Sequence, residues 1–183
     1  MTDTTNSIGP RSWGWVRPLA WAFAAVLLLL PLIAMQLAPD SGVNWTVSDF
    51  IFAAMLLGGI GLAAEVAVRV SPDWYYRAGA ALGLAAGFFL IWANGAVGYI
   101  GNEDNPYNLV FFGVVAIAFT GAVLSRFRGK GMAVAMLAAG LAHAAAGLGG
   151  VAADPVTAPI TLAFVAMWLG SAWLFRRSAL REA

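Results

Sequence analysis

Cysteine is absent from this chain, histidine occurs once, and charged residues make up only 10% of its 183 residues. Without cysteine, the protein has no disulfide bonds, no thiolate nucleophile and no thiolate metal ligands. A water-soluble domain carries roughly a quarter of charged residues, which cover its surface. Because 61% of the residues are hydrophobic and the mean hydropathy is +0.80, the composition instead predicts an integral membrane protein.

The sequence also lacks the short motifs that mark common enzymes. It has no glycine-rich nucleotide loop ending in Lys-Ser/Thr, no His-Glu-x-x-His and no Gly-x-Ser-x-Gly. One histidine without cysteine makes a poor metal site. We therefore expect a protein that is not an enzyme and that needs no cofactor, and we expect the lipid bilayer rather than nucleic acid as its surroundings.

Long apolar runs fill most of the chain. A helix of about 20 apolar residues, rising about 1.5 Å per residue, crosses a hydrocarbon core of roughly 30 Å. The sequence contains six such runs, at about 17–37, 47–70, 78–100, 108–124, 132–151 and 157–175. The fourth is the shortest, and an alternative prediction with five helices would leave it out.

The basic residues are concentrated in alternate connections between these runs. All ten lysines and arginines lie at the start of the chain up to Arg17, at its end from Arg176 onward, or in and directly beside the second and fourth connections, where Arg69 falls just inside the second run. The positive-inside rule places such connections in the cytoplasm. The sequence thus predicts an all-α, polytopic membrane protein with six transmembrane helices in one compact bundle and both termini cytoplasmic. Its predicted parts are a cytoplasmic segment 1–16, a transmembrane domain 17–176 and a cytoplasmic tail 177–183.

Small residues in the third and fifth runs indicate close helix packing. Glycines recur at helical spacing in and just after the third run, at Gly79, Gly83 and Gly87 and then at Gly95, Gly98 and Gly101. Such stripes let helix backbones approach closely in lipid, where hydrophobic burial does not drive association. We therefore predict that the third helix is the packing centre and that the fifth, rich in alanine and glycine, is interior.

The third connection, on the predicted outer side, combines a polar cluster with aromatic residues. Asn105-Pro106 predicts a helix start, since an asparagine can cap first-turn amides and proline suits the first helical position. Glu103 and Asp104 lie where carboxylates favour a helix N-terminus, although with Asn102 they are also candidates for an outer cation site. Tyr99 fits the aromatic belt that anchors helices at the membrane surface.

Polar residues deep in a membrane are candidates for function by default, and this chain has few. Glu65 lies in the second run, four residues before Arg69, as either an interfacial ion pair or a proton or cation site. Asn94 lies in the third run and forms either an interhelical hydrogen bond or part of a polar cavity. His143 lies in the fifth run as a hydrogen-bonded core residue, a proton relay, or a haem or metal ligand. Asn94 and His143 have comparable depth and could share one cavity floor.

Three segments resemble a group of short bacterial multi-pass inner-membrane proteins that are described only as uncharacterised. The segments are Ala64–Arg69, Asn94–Pro106 with its E-D-N-P motif, and Arg126–Arg128. The resemblance covers most of the chain after the first run. It implies a bacterial inner membrane and the same order of hairpins, and it transfers no catalytic or binding residue.

Two functional hypotheses follow from these features. The first is a non-enzymatic accessory or scaffold protein that acts through helix-helix contacts, either as a homo-oligomer or with another membrane protein. The alternative is a small transporter or channel for protons, cations or a small solute, with Glu65, Asn94 and His143 along its route. The alternative requires these three side chains to face one another.

Overall fold

A computed structural model of the chain describes residues 16–102, 104–153 and 155–181. These residues form six α-helices and no strand. Short 3₁₀ turns, each beginning with proline, follow α1 and precede α4 and α6. The helices are α1 (Val16–Leu37), α2 (Val47–Val70), α3 (Trp74–Ala96), α4 (Leu109–Leu124), α5 (Gly129–Ala153) and α6 (Ala158–Ala179).

All six helices are long and apolar enough to cross a membrane, with α4 counted together with its preceding turn. The prediction of an all-helical protein with six helices that are long and apolar enough to span a membrane is therefore confirmed, and the fourth run, which the five-helix alternative leaves out, is one of the six. The third helix lies four residues earlier than the predicted range 78–100 at both ends. The sixth helix extends to Ala179, into the predicted tail, while the predicted segment 1–16 lies almost wholly outside the described residues.

The chain divides into two compact units, the first ending at Gly61 and the second beginning at Leu62. In the first unit, the Trp21 ring of α1 packs against Gly61, where an added Cβ would lie only 2.7 Å from the ring. The start of α2 is capped by Asp49, whose carboxylate accepts hydrogen bonds from the Thr46 amide at 2.7 Å and the Thr46 hydroxyl at 2.8 Å. This pairing satisfies amide groups that a helix start leaves without partners.

The second unit is built on α5 and α6, which form its most extensive helix contact, followed by α3 with α6 and α4 with α5. The prediction of an interior fifth helix holds for one side only, because α5 lies against both α4 and α6 but exposes Val134, Leu141 and Leu148. The prediction that α3 is the packing centre is wrong, since α6 contacts both α3 and α5. The core of the second unit contains large side chains that are almost completely buried, namely Leu90, Phe111, Trp168 and Phe175.

The first glycine stripe lies in the contact between α3 and α6. A Cβ added at Gly79 would meet Phe175 at 3.2 Å, and one at Gly83 would meet the Ser171 hydroxyl at 2.9 Å. The Ser171 hydroxyl donates a hydrogen bond of 2.7 Å to the Gly79 carbonyl oxygen. The predicted role of this stripe in close helix approach is therefore confirmed, with α6 as its partner.

The second glycine set does not continue that stripe. The α3 helix ends at Ala96, and Gly98 and Gly101 have φ angles of 76° and 72°, in the left-handed region that favours glycine. These two residues turn the chain between α3 and α4, so their spacing reflects loop conformation and not a helix face. As a result Tyr99 and Ile100, which lie between them, are buried in the second unit.

Candidate functional site

His143 lies at the centre of a buried cluster in the second unit, with no exposed surface. Its Nε2 lies 3.1 Å from the Tyr99 hydroxyl. The same hydroxyl donates a hydrogen bond of 3.1 Å to Oγ1 of Thr161 on α6. With the single tyrosine hydrogen placed toward Thr161, His143 Nε2 would have to be the donor to the tyrosine oxygen. These two hydrogen bonds, between His143, Tyr99 and Thr161, thus connect α5, the α3–α4 loop and α6.

Aromatic rings surround the imidazole of His143. Phe164 stacks on it with a centroid distance of 5.3 Å and an interplanar angle of 23°. Phe111 on α4 lies at 5.3 Å, and Tyr99 meets the imidazole edge-on at 5.6 Å. Tyr99 and Phe111 also pack on each other at 4.1 Å. We call His143, Tyr99, Thr161, Phe111 and Phe164 the aromatic cluster.

The position of Tyr99 depends on a network of asparagines in the α3–α4 loop. Asn108, itself buried, accepts a hydrogen bond from the Ile100 amide at 2.8 Å and donates to the Asn102 carbonyl at 2.8 Å. Asn105 donates to the Ile100 carbonyl at 3.1 Å and accepts from the Tyr107 amide at 3.0 Å. The predicted helix start at Asn105-Pro106 is therefore confirmed, as the cap of the 3₁₀ turn that leads into α4.

Burial affects the chemistry that this cluster can perform. It raises the pKa of Tyr99 above its ordinary value of 10.0, so the tyrosine is a neutral hydrogen-bonding group at physiological pH. On His143, the Nδ1 atom has no hydrogen-bond partner among the described residues. A buried polar atom without a partner costs free energy or marks a place where another group binds.

Asn94 lies near the end of α3 and is also buried. Its amide nitrogen donates to the Leu90 carbonyl of the preceding turn at 2.7 Å, while its Oδ1 has no partner within the described part of the chain. Asn94 and His143 therefore share no hydrogen bond. The hypothesis that both form the floor of one cavity stays a prediction.

Glu65 on α2 pairs with Arg69 one turn later, at 2.8 Å between Oε2 and Nη2. The Arg69 side chain is 64% exposed and the Glu65 side chain 13% exposed. This geometry fits the interfacial ion pair that the spacing predicts, and such pairs contribute little to stability when one partner is exposed. The ion pair joins Glu65 to a residue of its own helix, whereas Asn94 bonds to Leu90 on α3 and His143 to Tyr99.

Glu103 and Asp104 of the α3–α4 loop are the candidates for the outer cation site. Asp104 is exposed, whereas Glu103 lies outside the described residues. Among the described residues, no group of three or more His, Cys, Asp or Glu side chains lies close enough to hold a metal ion. The outer cation site thus stays a prediction.

The asparagine network predicts a measurable effect of Asn108→Ala. Without the Asn108 side chain, the buried Ile100 amide loses its acceptor, and a buried unpaired group costs about 1–3 kcal/mol. We expect amide hydrogens of residues 98–105 to exchange roughly 10-fold faster or more, measured by hydrogen-deuterium exchange in lipid nanodiscs. Asn102→Ala, at an exposed residue that contributes only its carbonyl, is the control. Equal protection in the two variants would contradict this role.

The sequence reasoning identified His143 but not its partners. Tyr99 was predicted in the aromatic belt at the membrane surface, yet its ring lies in the protein interior. The glycines on either side of Tyr99 were the available signal, because flanking glycines favour a tight turn over a continued helix. Thr161 carried no such signal. Neither a protein-family model, nor a curated protein, nor a solved structure matches this chain.

Proposed function

We propose that this chain is a six-span protein of a bacterial inner membrane that acts as a non-enzymatic accessory or scaffold subunit through helix-helix contacts. One observation carries the proposal: the polar side chains within the helices bond to the protein itself. Glu65 pairs with Arg69, Asn94 with the Leu90 carbonyl, and His143 with Tyr99. Polar groups used in this way stabilise helix structure and packing and leave the outer surface to make functional contacts.

The proposed topology has all six helices in one compact bundle with both termini in the cytoplasm. It is supported by the distribution of the ten basic residues, which lie only in alternate connections. The proposed contacts are supported by the many large apolar side chains that are exposed on the helices, as expected of surfaces that face lipid or another membrane protein. A second copy of the chain or a different membrane protein are the two possible partners.

A specific observation favours the alternative, a small transporter or channel. Four buried polar atoms lack hydrogen-bond partners among the described residues, and three of them lie on three different helices: Asn94 Oδ1 on α3, His143 Nδ1 on α5 and Trp168 Nε1 on α6. Unpaired polar atoms inside a membrane protein are expensive and often mark the path of an ion or a polar solute. This alternative requires movement that opens the aromatic cluster, because His143 is closed off by three rings.

Ion flux in liposomes separates these two functions. Under an imposed pH gradient, the scaffold proposal expects vesicles with the wild-type protein to be no leakier to protons, Na⁺ or K⁺ than empty vesicles. Flux that disappears in His143→Phe or in Glu65→Gln would overturn it in favour of transport. The His143→Phe variant retains a ring of similar shape, so loss of flux would report the lost imidazole nitrogens and not a cavity.

Photo-crosslinking in the native membrane tests the contact role directly. A photoreactive phenylalanine analogue replaces exposed aromatic residues on three helices, namely Phe89, Phe119 and Trp173. The proposal expects one exposed face to yield an adduct with a single protein, whose mass shows whether it is a second copy. The same analogue at buried Phe175 is the control and should give no intermolecular adduct. Adducts with lipid alone at every exposed position would contradict the contact role.

A further inference from the structure

A pocket of about 450 Å³ lies in the second unit, at the connection between α4 and α5. It is lined by the end of α2 and the α2–α3 connection, the first turn of α3, the α4–α5 connection with the start of α5, and the end of α6. The polar and charged side chains of its lining are Ser71, Tyr76, Arg126, Arg128 and Lys130. We propose that this pocket binds a phosphate group, supplied by an anionic lipid headgroup. This assigns to the protein a ligand site that is independent of the proposed scaffold function.

The charge of the pocket is the first argument. Arg126, Arg128 and Lys130 fall within five consecutive residues and are exposed. None of the three forms an ion pair with a carboxylate among the described residues, whereas Arg69 pairs with Glu65 and Arg181 lies 3.9 Å from Asp73. Like charges held this close repel each other, and binding an anion between them relieves that repulsion.

The backbone of the pocket is held in a defined shape. Arg126 and Phe127 have φ angles of 51° and 59°, a left-handed conformation that is uncommon for residues with side chains. The Tyr76 hydroxyl donates a hydrogen bond of 2.7 Å to the Phe127 carbonyl, and the Phe127 amide donates to the Ala122 carbonyl at 3.0 Å. Tyr76 is itself fixed by an edge-on contact with Phe175 at 4.9 Å. The loop therefore presents its basic residues from a fixed position, which lowers the entropic cost of binding.

Two further groups at the pocket suit a phosphate. The Ser71 hydroxyl accepts a hydrogen bond from the Asp73 amide at 3.2 Å and keeps its own hydrogen for a phosphate oxygen. The amides of Gly129 and Lys130, at the start of α5, have no carbonyl acceptor within the helix. These amides add to the positive potential that the three side chains create.

The position of the pocket favours a lipid as the source of the phosphate. It lies at the ends of helices that are long and apolar enough to span a membrane, beside the basic α4–α5 connection. The one acidic residue of the α2–α3 connection, Asp73, lies 3.9 Å from Arg181. Basic pockets between helix ends at the membrane surface are typical sites for anionic headgroups. Free phosphate offers the same chemistry without acyl chains, so the two sources can be distinguished by experiment.

Lipid binding by the intact protein tests this proposal. The protein is placed in phosphatidylcholine nanodiscs or detergent, phosphatidylglycerol is titrated in, and bound lipid is counted by native mass spectrometry. We expect one saturable phosphatidylglycerol site in the wild type. In Arg126→Gln/Arg128→Gln/Lys130→Gln we expect an apparent affinity that is roughly 100-fold lower, because each basic residue near a headgroup contributes about fivefold.

The matched control removes three basic residues outside the pocket, in Arg176→Gln/Arg177→Gln/Arg181→Gln. Its net charge equals that of the pocket variant, and we expect its affinity to stay within about threefold of the wild type, because these three residues are exposed and do not line the pocket. Equal losses in both triple variants, or no saturable site in the wild type, would overturn the proposal. The single variant Lys130→Gln, with an expected loss of about fivefold, serves if the triple variant does not fold.

Inorganic phosphate provides the remaining comparison. It is titrated into nanodiscs of pure phosphatidylcholine, and the shift in melting temperature is compared with that produced by phosphatidylglycerol. We expect phosphatidylglycerol to stabilise the wild type by several degrees and to stabilise the pocket variant little, with phosphate at millimolar concentration having a smaller effect. A full effect from phosphate, with none added by the lipid, would overturn the assignment to a headgroup.

Discussion

Gly147→Ala is expected to lower the stability of the second unit, although alanine is normally the better helix former. Gly147 lies on α5 against α6, and a Cβ at this position would overlap the Thr161 side chain. Overpacking of this kind costs about 1–3 kcal/mol, because helices or rotamers must move to admit the methyl group. Thr161 also accepts the hydrogen bond from Tyr99, so we expect the aromatic cluster to loosen as well.

The control for this prediction is the same substitution at Gly113 on α4, where an added Cβ would meet nothing within 4 Å. Gly113→Ala should leave stability unchanged or raise it by up to about 1 kcal/mol, since alanine loses less backbone entropy in a helix. Both variants are measured by thermal unfolding in the same detergent or nanodisc. A Gly147→Ala protein as stable as Gly113→Ala would show that α5 and α6 do not approach this closely.

Helix number and type could be predicted from this sequence because the membrane imposes strong rules on composition. The six apolar runs and the six observed helices agree, with differences at several ends. One difference of four residues is at the end of α3, where apolar residues continue after the helix stops. Val97 and Ile100 are as hydrophobic as helix residues and Tyr99 is typical of the end of a span, so hydropathy could not separate a spanning helix from a loop that turns into the protein interior.

The partners of His143 could not be predicted for a related reason. Depth along a helix can be estimated from the rise per residue, but rotation about its axis depends on packing between helices. Asn94 and His143 were grouped by depth alone, while the structure bonds His143 to Tyr99 and Asn94 to its own helix. Thr161 has no sequence feature that distinguishes it from other threonines, and only the contact between α5 and α6 brings it to the aromatic cluster.

Phe111→Ala is expected to have the largest effect on the aromatic cluster. The Phe111 ring is fully buried and contacts Tyr99, Tyr107 and His143 at centroid distances of 4.1, 6.4 and 5.3 Å. Its removal leaves a cavity between these three side chains, and truncations of this kind cost about 3–5 kcal/mol in protein cores. In a membrane, lost van der Waals contacts supply most of that cost, because lipid is as apolar as the core.

Two exposed phenylalanines of α4 serve as controls, because their removal changes the composition of the helix without opening a cavity in the core. Phe112 and Phe119 are 38% and 69% exposed, so Phe112→Ala and Phe119→Ala remove the same atoms from the helix surface. We expect these two variants to unfold within a few degrees of the wild type, and Phe111→Ala to unfold far earlier. Phe111→Ala should also speed amide exchange at residues 98–102, because Tyr99 loses the ring on which it packs. If the three variants unfolded at the same temperature, the rings around His143 would contribute no more to stability than surface residues do. The aromatic cluster would then need another explanation, such as loose packing that allows a ligand to enter.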